Sequence, residues 1–380
     1  MNHLRYSRAT RTRMQGLTLI ETMVAITISL ILLSGAITLF INNKVTYETN
    51  ENLSRLQENA RFAIEFLIED LRMTGFFGCR TVTLVENPTG VFQLDDHANG
   101  VVMGAQGDGE LEDIVFPLEG IDDAPVALDA TWSPSGNDDT TATIVPGTDA
   151  VTIRHLSGTH EVLTDGVSPG AIGTLTVDDG SNFSAGDVVG VSDCGGGDVF
   201  AITNVAGNDI THPALSRGYA SNGDPDDPAN PTLAALVAVR YFIGSDADGN
   251  PALFREEIDP TVTPRQPVQQ TLIEGVESMQ ILYGVDNTGD NVPDTYVPAN
   301  DPALTTTAQW SNVVVVKLSL LVRTNRPYGD ADDVGDIVYE LNDATFSVPG
   351  DVTDAPDDDT ARRYKRRVFN TTVVLRNRLT

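Results

Sequence analysis

Between Thr22 and Ile41 the chain runs for twenty residues without a charged side chain, enough helix to cross a hydrocarbon core of about 30 Å. Arg5, Arg8, Arg11 and Arg13 precede this run, so the amino end stays on the cytoplasmic side and the remainder is exported. A secretory signal peptide would carry a shorter apolar region followed by a small-residue cleavage site. Here the run leads instead into Ile41-Asn42-Asn43-Lys44. Beyond it, Leu53, Leu56, Ala60, Ala63, Leu67 and Leu71 recur at spacings of three and four, the signature of an amphipathic helix. No proline occurs between Leu17 and Asn87, and Gly75 is a natural stop. One helix over 17–75 is predicted: a transmembrane half, then a half that lays an apolar stripe on a folded domain.

After Gly75 the periodicity changes to short β-type runs separated by Gly, Asp, Asn and Pro. Val151–Arg154, Asp187–Val191, Val237–Ile243, Ile281–Tyr283, Val313–Arg323 and Val368–Leu375 read as strands. The expected fold class is α+β, a long amino-terminal helix packed on an antiparallel β-rich domain. The turn-rich stretch Gly218–Thr232 supplies a boundary. It divides a β-rich insertion after the helix (76–232) from the main antiparallel sheet (233–380).

Charge changes the list of partners. The formal net charge is −30, and such a surface repels phosphate backbones, which disfavours nucleic-acid binding. Two cysteines, Cys79 and Cys194, in an exported chain point to one disulfide joining the helix end to the insertion.

Candidate chemistry is sparse. Gly166-Val167-Ser168-Pro169-Gly170 matches the nucleophile-elbow string. However, an elbow needs a helix after it, and a β-type run over Ala171–Val177 follows. His97, His155, His160 and His212 show no metal-ligand spacing, and no enzymatic constellation emerges. The loop Asp286-Asn287-Thr288-Gly289-Asp290-Asn291-Val292-Pro293-Asp294 sets oxygen side chains at relative positions 1, 3, 5 and 9. It resembles the D-x-D-x-D-G-x-x-D loops of calcium-binding repeats, with Asp286, Thr288, Asp290 and Asp294 as the ligand set. Thr288 and Asn291 depart from that pattern, Val297 stands where an EF-hand has its bidentate Glu, and turn chemistry explains the same residues. Calcium is the sole cofactor candidate. Asp246-Ala247-Asp248-Gly249-Asn250 reads as a hairpin turn. Arg362, Arg363, Lys365, Arg366, Arg367, Arg376 and Arg378 gather near the carboxyl end. They either pair internally, for example with Asp357-Asp358-Asp359, or form a docking surface for an acidic partner.

The anomaly is Glu21, an ionisable group at the start of a membrane helix, where the default expectation is a partner. A basic leader, Gly16, then Leu17-Thr18-Leu19-Ile20-Glu21 and the apolar run together resemble the class III signal of type IV prepilins. That resemblance implies a leader of 1–16, cleavage between Gly16 and Leu17 by a prepilin peptidase and methylation of the new terminus. It also makes Glu21 the acid that assists subunit assembly. The family usually has Phe after the cut, and this chain has Leu. The physics agrees, because a buried carboxylate recovers much of its desolvation cost by meeting a neighbour's α-amino cation.

Further matches look like PilW-type minor pilins. They are Phe76-Phe77-Gly78-Cys79, Gly147-Thr148-Asp149-Ala150-Val151-Thr152-Ile153-Arg154, Ser192-Asp193-Cys194, Glu274–Glu277, Tyr283-Gly284-Val285-Asp286 and Arg366–Asn377. The resemblance implies a pilin-like fold, an inner-membrane precursor, and later residence in a pilus that supports adhesion and motility. The implied partners are other minor pilins, the major pilin and a large tip adhesin. A J-type pseudopilin of type II secretion shares the ending but is usually much shorter. A membrane-tethered binding module is the reading from another class.

Overall fold

The computed structural model describes residues 18–78, 93–94, 117–123, 143–169, 172–193, 196–213, 215, 217–246, 249–259, 266–327, 337–348 and 363–378. Helix α1 spans Leu19–Met73, and the chain falls into two compact units, Met1–Asn52 and Leu53–Thr380. In the first unit the helix carries its apolar side chains outward, among them Leu30, Ile31, Leu32 and Phe40. Its most apolar window has a mean hydropathy of 2.5 and none of it is buried. The hydroxyls of Thr22, Thr27, Ser29 and Thr38 donate to carbonyls one turn earlier. Those polar groups therefore need no outside partner in a lipid environment.

The second unit is β-rich. Before residue 232 its strands are β1 (Gln93–Leu94), β2 (Leu118–Ile121), β3 (Thr143–Ile144), β4 (Ala150–Val162), β5 (Gly173–Thr176), β6 (Val188–Asp193), β7 (Gly196–Ala201), β8 (Asn204–Ala206) and β9 (Asp209–His212). After it come β10 (Thr232–Ser245), β11 (Pro251–Asp259), β12 (Gln266–Glu274), β13 (Val276–Val285), β14 (Thr295–Val297), β15 (Val313–Arg323), β16 (Ile337–Leu341), β17 (Ala344–Val348) and β18 (Arg366–Val374). All six runs read as strands from the sequence lie in or overlap strands.

Strand β10 organises the largest sheet. One of its edges pairs with β4 and then β3, the other with β6 and then β11, and β12 follows β11. β7 joins β6, β2 joins β4, and β1 adds in parallel to β7. The boundary expected at 232 therefore does not separate two bodies: β10 begins there and pairs with strands from both sides of it. The stretches 76–232 and 233–380 share one sheet because β10 is long enough to serve different neighbours at its two ends. A second sheet runs β14-β13-β15-β18. β16 and β17 form a hairpin, and β5, β9 and β8 form a small sheet with its own apolar cluster around Leu163, Leu175, Ile210 and Tyr219.

The main core lies where α1 meets both large sheets. Leu56, Ala60, Ala63, Leu67 and Leu71 of the helix pack with Val151, Ile153, Val239 and Tyr241 of the first sheet. They also meet Met279, Ile281, Val316, Leu318 and Leu320 of the second. Leu53 belongs to the expected stripe but is exposed, so the buried face starts at Leu56. The helix ends as the sequence predicts, with Gly75 at φ 71°, a backbone that an L side chain adopts only under strain.

Candidate functional site

Glu21 sits in the first turn of α1 and is exposed. The Oγ1 of Thr18 accepts its backbone N–H at 3.3 Å, the Thr-x-x-Glu spacing of a helix start. An acid there also suits the positive end of the helix dipole. Those local effects fix where the helix begins and leave the carboxylate free to face a partner. Gly16 and Leu17 lie outside the described residues.

At its other end α1 is tied down by polar contacts. Asp70 accepts the buried Tyr241 hydroxyl at 2.5 Å and lies 3.6 Å from Nε of Arg255. The Gly75 N–H donates to the Arg154 carbonyl of β4, and the Asn377 amide donates to the Arg72 carbonyl. Asn377 belongs to the ending that resembled PilW-type pilins, and its position gives that motif a structural reason: it satisfies an orphan carbonyl at the end of the helix.

The sequence reading missed a charged row through the first sheet. Glu119, Thr152, Arg240, Glu256 and Gln269 stand directly opposite one another on β2, β4, β10, β11 and β12. Alternation puts them on the face opposite Ile153, Val239 and Tyr241. Arg240, 1 % exposed, donates to Glu256 at 2.7 Å and to Thr152 Oγ1 at 3.3 Å. Gln269 donates to the second Glu256 oxygen at 3.2 Å, and buried Arg154 donates to Glu119 at 3.1 Å. Burial and the neighbouring Arg154 bring Arg240 down to about 9, against the pull of Glu256. The available signal was an arginine inside the otherwise apolar run Leu233–Ile243.

The Tyr283-Gly284 pair marks a close crossing. A Cβ on Gly284 would stand 2.9 Å from Pro293 and 3.0 Å from Tyr296, so only glycine lets the following loop fold back over β13. That loop is closed by its own amides. Asp286 is buried and accepts the N–H groups of Thr288, Gly289 and Asn291 at 3.0, 2.7 and 2.7 Å. Asp290 accepts from Val292, and Asp294 from Asn287. Burial alone would raise the Asp286 carboxyl, but the amides of Gly289, Asn291, Thr288 and Asp290 outweigh it and hold the group below its ordinary range. The loop's stability contribution is therefore present above the unfolded carboxylate range and lost as acid protonates Asp286.

Among the described residues, no group of three or more His, Cys, Asp or Glu side chains is placed to hold a metal ion. The physical reason is that the carboxylate oxygens are spent on backbone N–H groups. The expected result is one melting temperature in calcium and in chelator for the detergent-solubilised chain, and a lower one for Asp286→Ala in both. Stabilisation by millimolar calcium that Asp290→Ala removes would restore the cation reading.

The basic carboxyl end is partly internal. Arg366 grips Glu277 with two nitrogens, at 2.5 and 2.9 Å, and Arg323 donates to the same carboxylate at 3.1 Å. The Arg323 guanidinium stacks 4.0 Å from the Tyr364 ring centroid. Arg367 is exposed on β18. Arg362 and the Asp357–Asp359 run lie outside the described residues. The remaining sequence candidates are structural. Val167 bridges to Tyr219, and strand β5 follows the Ser168 turn, so no elbow forms. His155 and His212 bond neighbouring carbonyls, at Leu156 and Pro213. Asp246 and Asn250 close the β10–β11 hairpin. His97, Cys79 and Cys194 lie outside the described residues, although their neighbours Gly78 and Ser192 touch: a Cβ on Gly78 would fall 2.1 Å from Ser192 Oγ.

Residues 11–37 match the prokaryotic N-terminal methylation motif. Residues 240–377, from the middle of β10 to the helix-capping Asn377, match the family of Type IV Pilus-assembly protein W. These two matches support a type IV pilin-like protein of the PilW family. Searches of curated proteins and of solved structures returned no match. The pilin is membrane-anchored through α1 and then incorporated into the pilus. Its fold, one long apolar helix with an antiparallel β-rich domain, is the pilin-like α+β arrangement. Its family is that of structural pilus-assembly components.

Proposed function

We propose that this chain is a minor pilin of the priming or tip complex, without catalytic activity, supporting pilus-dependent adhesion and motility. It is inserted in the inner membrane, cut after Gly16 by a prepilin peptidase and methylated on Leu17. It then assembles with other minor pilins, the major pilin and a large tip adhesin. One observation carries the reading: the helix bearing the methylation motif also supplies, from Leu56 onward, the stripe on which the PilW-matching strands pack. A processing signal and an assembly domain built on one helix suit a subunit that leaves the membrane by entering a filament.

Intact-mass measurement of the purified, non-reduced protein tests this. The expected mass corresponds to a chain beginning at methylated Leu17. It is also lower by two hydrogens, because Cys79 and Cys194 form a disulfide, a link supported by the contact of Gly78 with Ser192. A terminus beyond Ile41 would make the segment an ordinary signal peptide and end the proposal. Two freely alkylated thiols would remove the disulfide alone.

A further inference from the structure

Two carboxyl groups meet where the first sheet touches the second. Asp149, 2 % exposed, precedes β4 and lies along the edge of β13 that β14 leaves unpaired. Its N–H donates to the Met279 carbonyl at 2.9 Å, and its Oδ2 accepts the Ile281 N–H at 2.7 Å. The Gln280 amide closes the same seam on the Gly147 carbonyl at 2.8 Å. The other Asp149 oxygen accepts the Asp123 N–H at 3.2 Å. Asp122, just after β2, accepts from Asn300, and it is adjacent to Asp123, whose N–H donates to Asp149, which brings the two carboxyls within hydrogen-bonding reach. Two carboxyls can bond each other only when one of them carries a proton.

We propose that Asp122 and Asp149 share one proton and form a pH-sensitive clasp that fastens the β2 end and the loop before β4 to the edge of β13. Acidic groups on the neighbouring elements favour holding that proton. Asp123 and Glu119 stand on the β2 side, and Asp343 stands in the β16–β17 turn. The Tyr283 hydroxyl of β13 is buried, has no hydrogen-bond partner among the described residues and faces Gly120 so closely that a Cβ there would lie 2.1 Å away. Arg154 of β4 is engaged by Glu119. Burial, then the charges of Asp122 and Asp343, push the Asp149 carboxyl up to about 8, against the backbone N–H groups of Ile281 and Asp123.

The sign follows from linkage. The folded state holds a proton that the unfolded chain releases near pH ~4. The associated stability is complete below that point and is lost as pH rises toward about 8. Above it the pair is doubly ionised, the carboxylates repel, and the seam on Met279 and Ile281 loosens.

Melting curves of the full-length chain in detergent, from pH 5 to pH 9, test this with Asp149→Asn and Asp149→Ala. Asparagine keeps the acceptor for Ile281 and cannot ionise, at the cost of the acceptor for the Asp123 N–H. Asp149→Asn should melt no higher than wild type at pH 5 but lose less on going to pH 9, whereas Asp149→Ala should melt lower at both. Hydrogen exchange of the peptide containing Ile281 provides a second readout in wild type. Its protection, corrected for base catalysis, should drop between pH 6 and pH 9 more than that of the β15 core. Parallel curves for wild type and Asp149→Asn overturn the clasp. Unchanged Ile281 protection does the same, and it applies even if the variants do not fold.

Discussion

Replacing Glu256 with alanine is expected to destabilise the folded domain by about 3–5 kcal/mol, because the buried Arg240 guanidinium loses the carboxylate that it grips at 2.7 Å. Glu256 is 2 % exposed and is the direct partner of Arg240. Thr152 does not replace it, since a hydroxyl carries no charge. The midpoint of urea unfolding, followed by circular dichroism on the detergent-solubilised chain, reads the loss. The double variant Arg240→Met/Glu256→Leu should recover much of it, since apolar side chains of similar volume avoid the desolvation cost of both ions. A single variant within about 1 kcal/mol of wild type, inside the range of ordinary surface changes, would show that the row is hydrated.

The second large effect is functional. Glu21→Ala should insert in the membrane at least as well as wild type, because it removes a charge from the edge of the apolar span. It should nevertheless be nearly absent from sheared filaments. The carboxylate is exposed in the first turn of α1, so the loss would fall on assembly and leave the folded domain intact. Comparing membrane and filament fractions by immunoblot, with Glu21→Gln beside it, separates charge from shape. Equal amounts of wild type and Glu21→Ala in the filament fraction would show that this acid is only part of a helix start.

The sequence made the helix legible because two periodic signals, twenty uncharged residues and then the Leu56–Leu71 stripe, end at a glycine with positive φ. The strands were legible for a similar reason: their apolar runs are long and turn residues bound them. Their partners were not. Pairing of β10 with β4, about eighty residues earlier, leaves no local trace, and a turn-rich stretch at 218–232 looked like a division when it is a surface loop of one unit. The Asp286 loop shows a second limit. Spacing places oxygens close together, but it does not say whether they face a cation or the loop's own N–H groups. Arg240 and Asp149 were hidden for the same reason, since a buried charge is recognised by what surrounds it in space.

The position of β10 has a consequence for export. The chain crosses the membrane progressively, with α1 first, and β4 and β6 emerge before the strand that joins them. Their edges stay open until Thr232–Ser245 arrives, and the helix stripe stays uncovered until β13 and β15 follow. Contacts of such long sequence separation close late and slowly. A newly translocated chain therefore spends its most vulnerable interval with strand edges and the Leu56–Leu71 face exposed.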